Sequence, residues 1–172
     1  LAAGVPWDFE TFPDYLAAVR RRGTLLNYAA YVGHTPLRIY VMGEEAFERT
    51  STPDELDRMR AVLREAMLSG AAGLSTSFAA THRDADGRAI PSRLSDQAEF
   101  AQLCRVLGDV GIGVVEVSPG PQFTIEDMYR LQPAAGVPFT YGALLSDPSG
   151  RHERLVNQNR DGWATGAEVW PQ

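Results

Sequence analysis

Cysteine is almost missing from this 172-residue chain: Cys104 is the single thiol, so no internal disulfide can form. That usage fits a reducing compartment, and a cytoplasmic location is the expectation. Long apolar runs are missing too. No stretch approaches the roughly 18 consecutive apolar residues of a membrane span. The chain opens Leu1-Ala2-Ala3-Gly4 rather than with methionine, so the lack of a leader says little about targeting. Basic stripes are absent: the formal net charge is -6 and the pI about 5.0. An acidic chain of this kind excludes a nucleic-acid partner and disfavours adhesion to anionic membrane. Arg20-Arg21-Arg22 is a short cationic run, and at a helix end it satisfies the last carbonyls and the helix dipole.

Several chemical signatures are lacking as well. There is no G-x-G-x-x-G and no G-x-x-x-x-G-K-[ST], and Gly111-Ile112-Gly113 precedes a strand, the wrong side for a phosphate loop. No G-x-S-x-G elbow and no H-x-H pair occur. Cys104 lies on the apolar stripe of a helix, where a structural thiol is expected rather than a nucleophile.

What is present is an ordinary globular composition, 44% hydrophobic and 22% charged, enough to bury a core. Amphipathic helices alternate with short apolar runs. Thr52-Pro53-Asp54-Glu55 is a capping box with proline at the first helical position, followed by Leu56, Met59, Leu63, Ala66 and Met67 at helical spacing and a stop at Gly70. A second helix starts near Asp96, with Glu99 three residues on, and ends at Gly111. A third starts at Thr124, with Asp127 at the capping position and Phe123 and Met128 spaced as a hydrophobic staple; Pro133 and Gly136 close it. Weaker helices fall at about 13–22 and about 150–162.

The apolar runs between them are Leu25–Val32, Ala72–Ser77, Gly113–Val117, Val137–Leu144 and Ala167–Trp170. Alternation predicts βαβ units and a parallel sheet whose strands are buried on both faces. Five units suit either a doubly wound open sheet or part of a (β/α)8 barrel, which needs eight units and about 250 residues. The whole chain reads as one such unit set, residues 1–172.

Polar residues just past strand ends are where such folds build sites. His34 and Arg38 follow the first run. A histidine there suits a metal ligand, a proton shuttle or a hydrogen-bonded structural residue. The arginine suits a carboxylate clamp or a salt bridge to a neighbouring helix. Ser75 and Ser77 end the second run, Glu116 lies in the third, and His82 sits in the loop Thr81–Gly87. Beside it, Asp84-Ala85-Asp86-Gly87 reads as a turn in preference to a calcium loop.

Tyr28 to Arg38, with Val32-Gly33-His34 and Leu37-Arg38, resembles the "N-x-A-x-x-V-G-H-x-x-L-R" segment of amidohydrolases of the N-acyl-D-amino-acid deacylase type. Trp7 and Phe12-Pro13-Asp14-Tyr15-Leu16 are similar to their "W-x-(S/T)-F-x-E-Y-L" helix. Glu65-Ala66 and Gly70 to Ser77 are similar to "E-A-x-x-x-G-A-x-G-(L/F)-S-T", and Gly166, Val169, Pro171 and Gln172 to "G-x-x-V-x-P-Q". Thr81-His82-Arg83, Gly87 and Pro91 fit a branch with "S-T-S … H-R-x-x-x-G … P".

The resemblance implies the central portion of a TIM-like barrel and a hydrolase that cleaves the acyl amide of small N-acyl-D-amino acids. Its cofactor would be zinc, which polarises the carbonyl and activates water. It implies catalytic roles for His34, Arg38 and His82 and substrate contacts from Ser75, Ser77 and Glu116. It implies no metal ligand within the chain: the family's H-x-H would precede Leu1 and its late aspartate would follow Gln172. A "T-H-x-R" stretch is replaced by Val117-Ser118-Pro119, and Tyr141-Gly142-Ala143-Leu144 supplies no histidine where another ligand falls. The substrate-facing tyrosine of "S-T-G-L-x-Y" is also absent from Ser75 to Ala80. The alternative is a non-catalytic barrel relative, or an inactive fragment that self-associates into a homo-oligomer through open sheet edges.

Overall fold

The computed structural model describes residues 7–146 and 148–172. Five strands, β1 (Tyr31–Gly33), β2 (Gly73–Ser77), β3 (Val114–Ser118), β4 (Phe139–Tyr141) and β5 (Val169–Pro171), form one sheet. Its order is β1-β2-β3-β4-β5 and every pairing is parallel. A doubly wound sheet reverses its order at a switch point; this one never does. Strictly sequential parallel order with a helix between successive strands is the winding of a barrel.

The helices are α1 (Phe12–Arg22), α2 (His34–Met42), α3 (Pro53–Leu68), α4 (Gln97–Val110), α5 (Ile125–Ala135) and α6 (Arg151–Ala164), with 3-10 turns at Gly43–Phe47 and Pro91–Leu94. The caps form as their sequences dictate. Thr52 and Glu55 make a reciprocal box at α3, and Thr124 and Asp127 another at α5. Phe123 and Met128 are both buried in the core, and Pro133 is carried inside α5, which stops at the left-handed Gly136.

The sequence suggested no element between the first strand and Met42; the structure has a helix there, α2. It begins directly after β1 on Gly33, with no side-chain cap, and carries Pro36 in its first turn, where no helical hydrogen bond is lost. The strands are also shorter than their apolar runs. Only Tyr31–Gly33 of the run from Leu25 pairs, because β2 meets it over three residues; Leu25 and Leu26 are exposed.

Nor are the strands apolar on both faces. The register aligns Val32, Leu74, Val115, Phe139 and Val169 in one row, each at most 8% exposed. That row packs with Leu63, Met67, Leu103, Leu107 and Met128 of the helices. The adjacent row, Gly33, Ser75, Glu116, Thr140 and Trp170, points to the other face and is small and polar at its centre. Gly73 makes the close β2–β3 approach possible: a Cβ there would lie 1.8 Å from the Val114 carbonyl oxygen.

Candidate functional site

The C-terminal ends of β1, β2 and β3 surround a cavity of about 240 Å³. Ser75, Ser77, Glu116 and Ser118 line it from the sheet, and Ile90 and Ser92 from the loop after β2. A larger cavity of about 630 Å³ lies beside the edge strand β1 under α1, lined by aromatics such as Phe12, Tyr15 and Tyr31. That one offers apolar surface but few groups able to do chemistry, so the smaller cavity is the candidate site.

Four of the sequence candidates line this cavity: Ser75, Ser77 and Glu116, all half-buried, and His34, which is fully buried at its wall. His82 sits at its rim: it is exposed, and its Nδ1 lies 2.6 Å from the Ser77 Oγ. The His82 loop is held from behind. Its amide donates to the Ala79 carbonyl, and Arg93 reaches the Ala80 and His82 carbonyls. The Asp84 turn forms as expected, with its carboxylate accepting from the Asp86 and Arg88 amides.

His34 and Arg38 lie on the helix side of the sheet, completely buried. The sequence missed their partner. Glu99 of α4, 2% exposed, meets the His34 Nε2 at 2.8 Å and the Arg38 Nη1 at 2.6 Å. Ser51 donates its hydroxyl to the same carboxylate, and Arg38 also donates to the Arg49 carbonyl. Asp96 caps α4 alone; the Glu99 side chain, spaced to complete a capping box, turns inward instead. The only signal was local: His34 and Arg38 are four apart, so they share a helix face that calls for an acid.

Burial alone would push the Glu99 carboxyl up, but hydrogen bonds from His34, Arg38 and Ser51 outweigh it and hold it at about 2. Burial lowers the His34 pKa, against the pull of Glu99. The imidazole is therefore neutral. It donates from Nε2 to the carboxylate, which can only accept, and its Nδ1 accepts from the Thr76 hydroxyl at 2.9 Å.

The site does not fit a metal ion. Both ring nitrogens of His34 are engaged, β3 ends in Ser118, and the Tyr141 hydroxyl of β4 accepts from Asn159. Among the described residues no group of three or more His, Cys, Asp or Glu side chains could hold a metal. None of those residues forms a helix long and apolar enough to cross a membrane. Cys104 is buried, and its thiol is pushed up by burial.

The sheet winding and the site at the strand ends define a segment of a parallel β/α barrel. More particularly, the chain resembles the D-aminoacylases and related N-acyl-D-amino-acid deacylases. It is 43% identical over 111 residues to a D-aminoacylase of Alcaligenes xylosoxydans xylosoxydans, a match over 64% of this chain and 21% of that protein. An N-acyl-D-aspartate deacylase of the same organism is 43% identical over 68 residues, 40% of this chain and 13% of the relative.

Among solved structures, a D-aminoacylase variant in complex with copper chloride superposes with a TM-score of 0.76 at 27% identity, over 92% of this chain and 32% of the other. N-acyl-D-glutamate deacylase from Bordetella bronchiseptica, complexed with zinc and a phosphonate inhibitor, shares the fold at a TM-score of 0.71 and 22% identity, over 92% and 33%. The chain thus spans about a third of these neighbours and a fifth of the curated D-aminoacylase. No protein-family profile matches it.

Proposed function

We propose that this chain forms the central β/α units of an amidohydrolase that cleaves the acyl amide of N-acyl-D-amino acids. The observation that carries the reading is the polar cavity at the ends of β1 to β3, on a segment with the fold of D-aminoacylase. Ser75, Ser77 and Glu116 face that cavity and contact the substrate, and His82 moves protons at its rim. His34 and Arg38 position the walls from behind through Glu99. Zinc is the cofactor expected from such relatives. The described residues do not supply its donor set, so no step is assigned to a metal held by them.

The test is amine release from N-acetyl-D-methionine and N-acetyl-D-glutamate, with the L-enantiomers as controls, by the full-length protein that carries these units and supplies the metal donors they lack. D-selective release that falls at least about tenfold in Glu116→Gln supports the reading. No release, or equal release from both enantiomers, sinks it.

A second reading is a non-catalytic module that self-associates. It is favoured by the exposed aromatics Tyr31 and Trp170 on the two edge strands. Sedimentation that gives a monomer at all concentrations would remove it.

A further inference from the structure

We propose that Ser77 is an activated serine, with His82 as its base, able to accept an acyl group from an activated ester. This goes beyond the amidase reading and does not depend on it. Two groups converge on the Ser77 Oγ. The Ala79 amide donates to it at 3.2 Å, and the His82 Nδ1 lies at 2.6 Å. With the imidazole as its Nε2–H tautomer, the Ser77 hydroxyl donates to Nδ1 while its oxygen accepts from the Ala79 amide. One lone pair is left for attack, and the oxygen faces the cavity at the strand ends. The amide dipole favours negative charge as the proton leaves.

The pair is built, and the loop that carries it is pinned on several sides. Ser92 donates its hydroxyl to the Ser77 carbonyl at 2.8 Å and its amide to the Thr35 hydroxyl at 3.2 Å. The Phe78 amide donates to the Ser118 carbonyl, and Gly120 lets the next loop approach: a Cβ there would lie 1.8 Å from the Phe78 oxygen. These bonds point the Ser77 side chain toward a histidine five residues on. Nucleophile and base within hydrogen-bond reach is the geometry covalent catalysis needs.

The chemistry balances as follows. The Ser77 Oγ bonds to the acyl carbon as its proton passes to His82 Nδ1. The bond from that carbon to the ester oxygen breaks, and the imidazolium proton goes to the departing alcohol or phenol. Water then attacks the acyl-serine, His82 takes its proton and returns it to Oγ, and a carboxylic acid leaves. No carboxylate among the described residues pairs with His82. The base is therefore unassisted, which matches activated esters, whose leaving groups need little help, rather than amides.

The experiment is intact-mass labelling with a fluorophosphonate and with 4-nitrophenyl acetate, followed by peptide mapping. The sequence contains no lysine, so side-chain amines cannot compete for the acyl group. We expect one label per chain, on Ser77, lost in Ser77→Ala and slowed about 100-fold in His82→Gln. Ser69→Ala, at the C-terminal cap of α3 and outside the cavity lining, keeps the wild-type rate. Labelling at another residue, no labelling, or an unchanged rate in His82→Gln in a variant with the wild-type circular dichroism overturns the proposal. Amine release from N-acyl-D-amino acids is measured on the same samples. Loss of either activity alone then separates this proposal from the amidase reading.

Discussion

The two faces of the sheet differ in what they ask of a residue. On the helix side every strand position is filled: Leu74, Val115, Phe139 and Val169 have no exposure, and even the polar members His34, Glu99 and Asn159 are fully partnered by neighbours. On the other side Ser75, Ser77, Glu116 and Thr140 carry short polar side chains that leave room above them. The two histidines show the same contrast. Buried His34 has both ring nitrogens committed, while exposed His82 has one nitrogen on a serine and the other toward solvent. One face sets the shape, and the open polar groups are confined to the other.

The sharpest way to break that contrast is to remove the acid on the helix side. Glu99→Ala strands the buried Arg38 and should cost about 3–5 kcal/mol of folding free energy. Urea denaturation measures it. The double variant Arg38→Met with Glu99→Leu should lose less than Glu99→Ala alone, because exchanging a buried pair for apolar groups is often neutral. A larger loss in the double variant would mean that the pair stabilises the fold beyond relieving its own burial. Next in size is Leu74→Ala, which opens a cavity at a site with no exposure and should cost about 2–5 kcal/mol by the same assay.

The relation between these residues explains what the sequence could convey. Capped helices were legible because Thr52, Thr124 and their acidic partners act within four residues of one another. Strand ends were legible because parallel α/β folds open there, and Ser75, Ser77 and Glu116 do line the cavity. Glu99 was not, since it lies 61 residues from Arg38 and occupies a position that reads as a helix cap. Helix α2 was hidden because it starts on Gly33 with no side-chain cap and carries Pro36 in its first turn, so no capping signal marks it. The alternation of β2 and β3 was overlooked because Gly73-Leu74 and Val114-Val115 look evenly apolar; only pairing shows which of each faces the helices.

Acid should separate the faces as well. Glu99 is held at about 2, below its ordinary 4.5, and burial holds His34 below its ordinary 6.5. Both groups bind protons more weakly in the folded chain, so stability is full above about pH 6.5 and falls with acidification. His34 contributes the first loss, below 6.5, as the unfolded chain takes up a proton that the folded one refuses. Glu99 contributes the second, between about 4.5 and about 2. Each group adds at most about 1.4 kcal/mol per pH unit across its window. Denaturation midpoints at pH 7, 5 and 3 should drop stepwise, and His34→Asn should flatten the upper step. A midpoint that holds from pH 7 to 5 would mean that His34 protonates as easily inside the fold as outside.

The smallest effect on stability should come from the open face. Glu116 is half-buried beside Ser75 and Thr140, and no ion pair or side-chain hydrogen bond to it is seen among the described residues. Glu116→Gln keeps its size and should change folding free energy by less than about 0.5 kcal/mol. What it changes is charge: the cavity loses its one carboxylate among the lining residues. If that face is a site, substrate turnover must fall while the urea midpoint stays put, the reverse of the pattern for Glu99→Ala. A stability loss comparable with Leu74→Ala would instead place Glu116 in the framework. The division between a face that folds the chain and a face that acts would then fail at its centre.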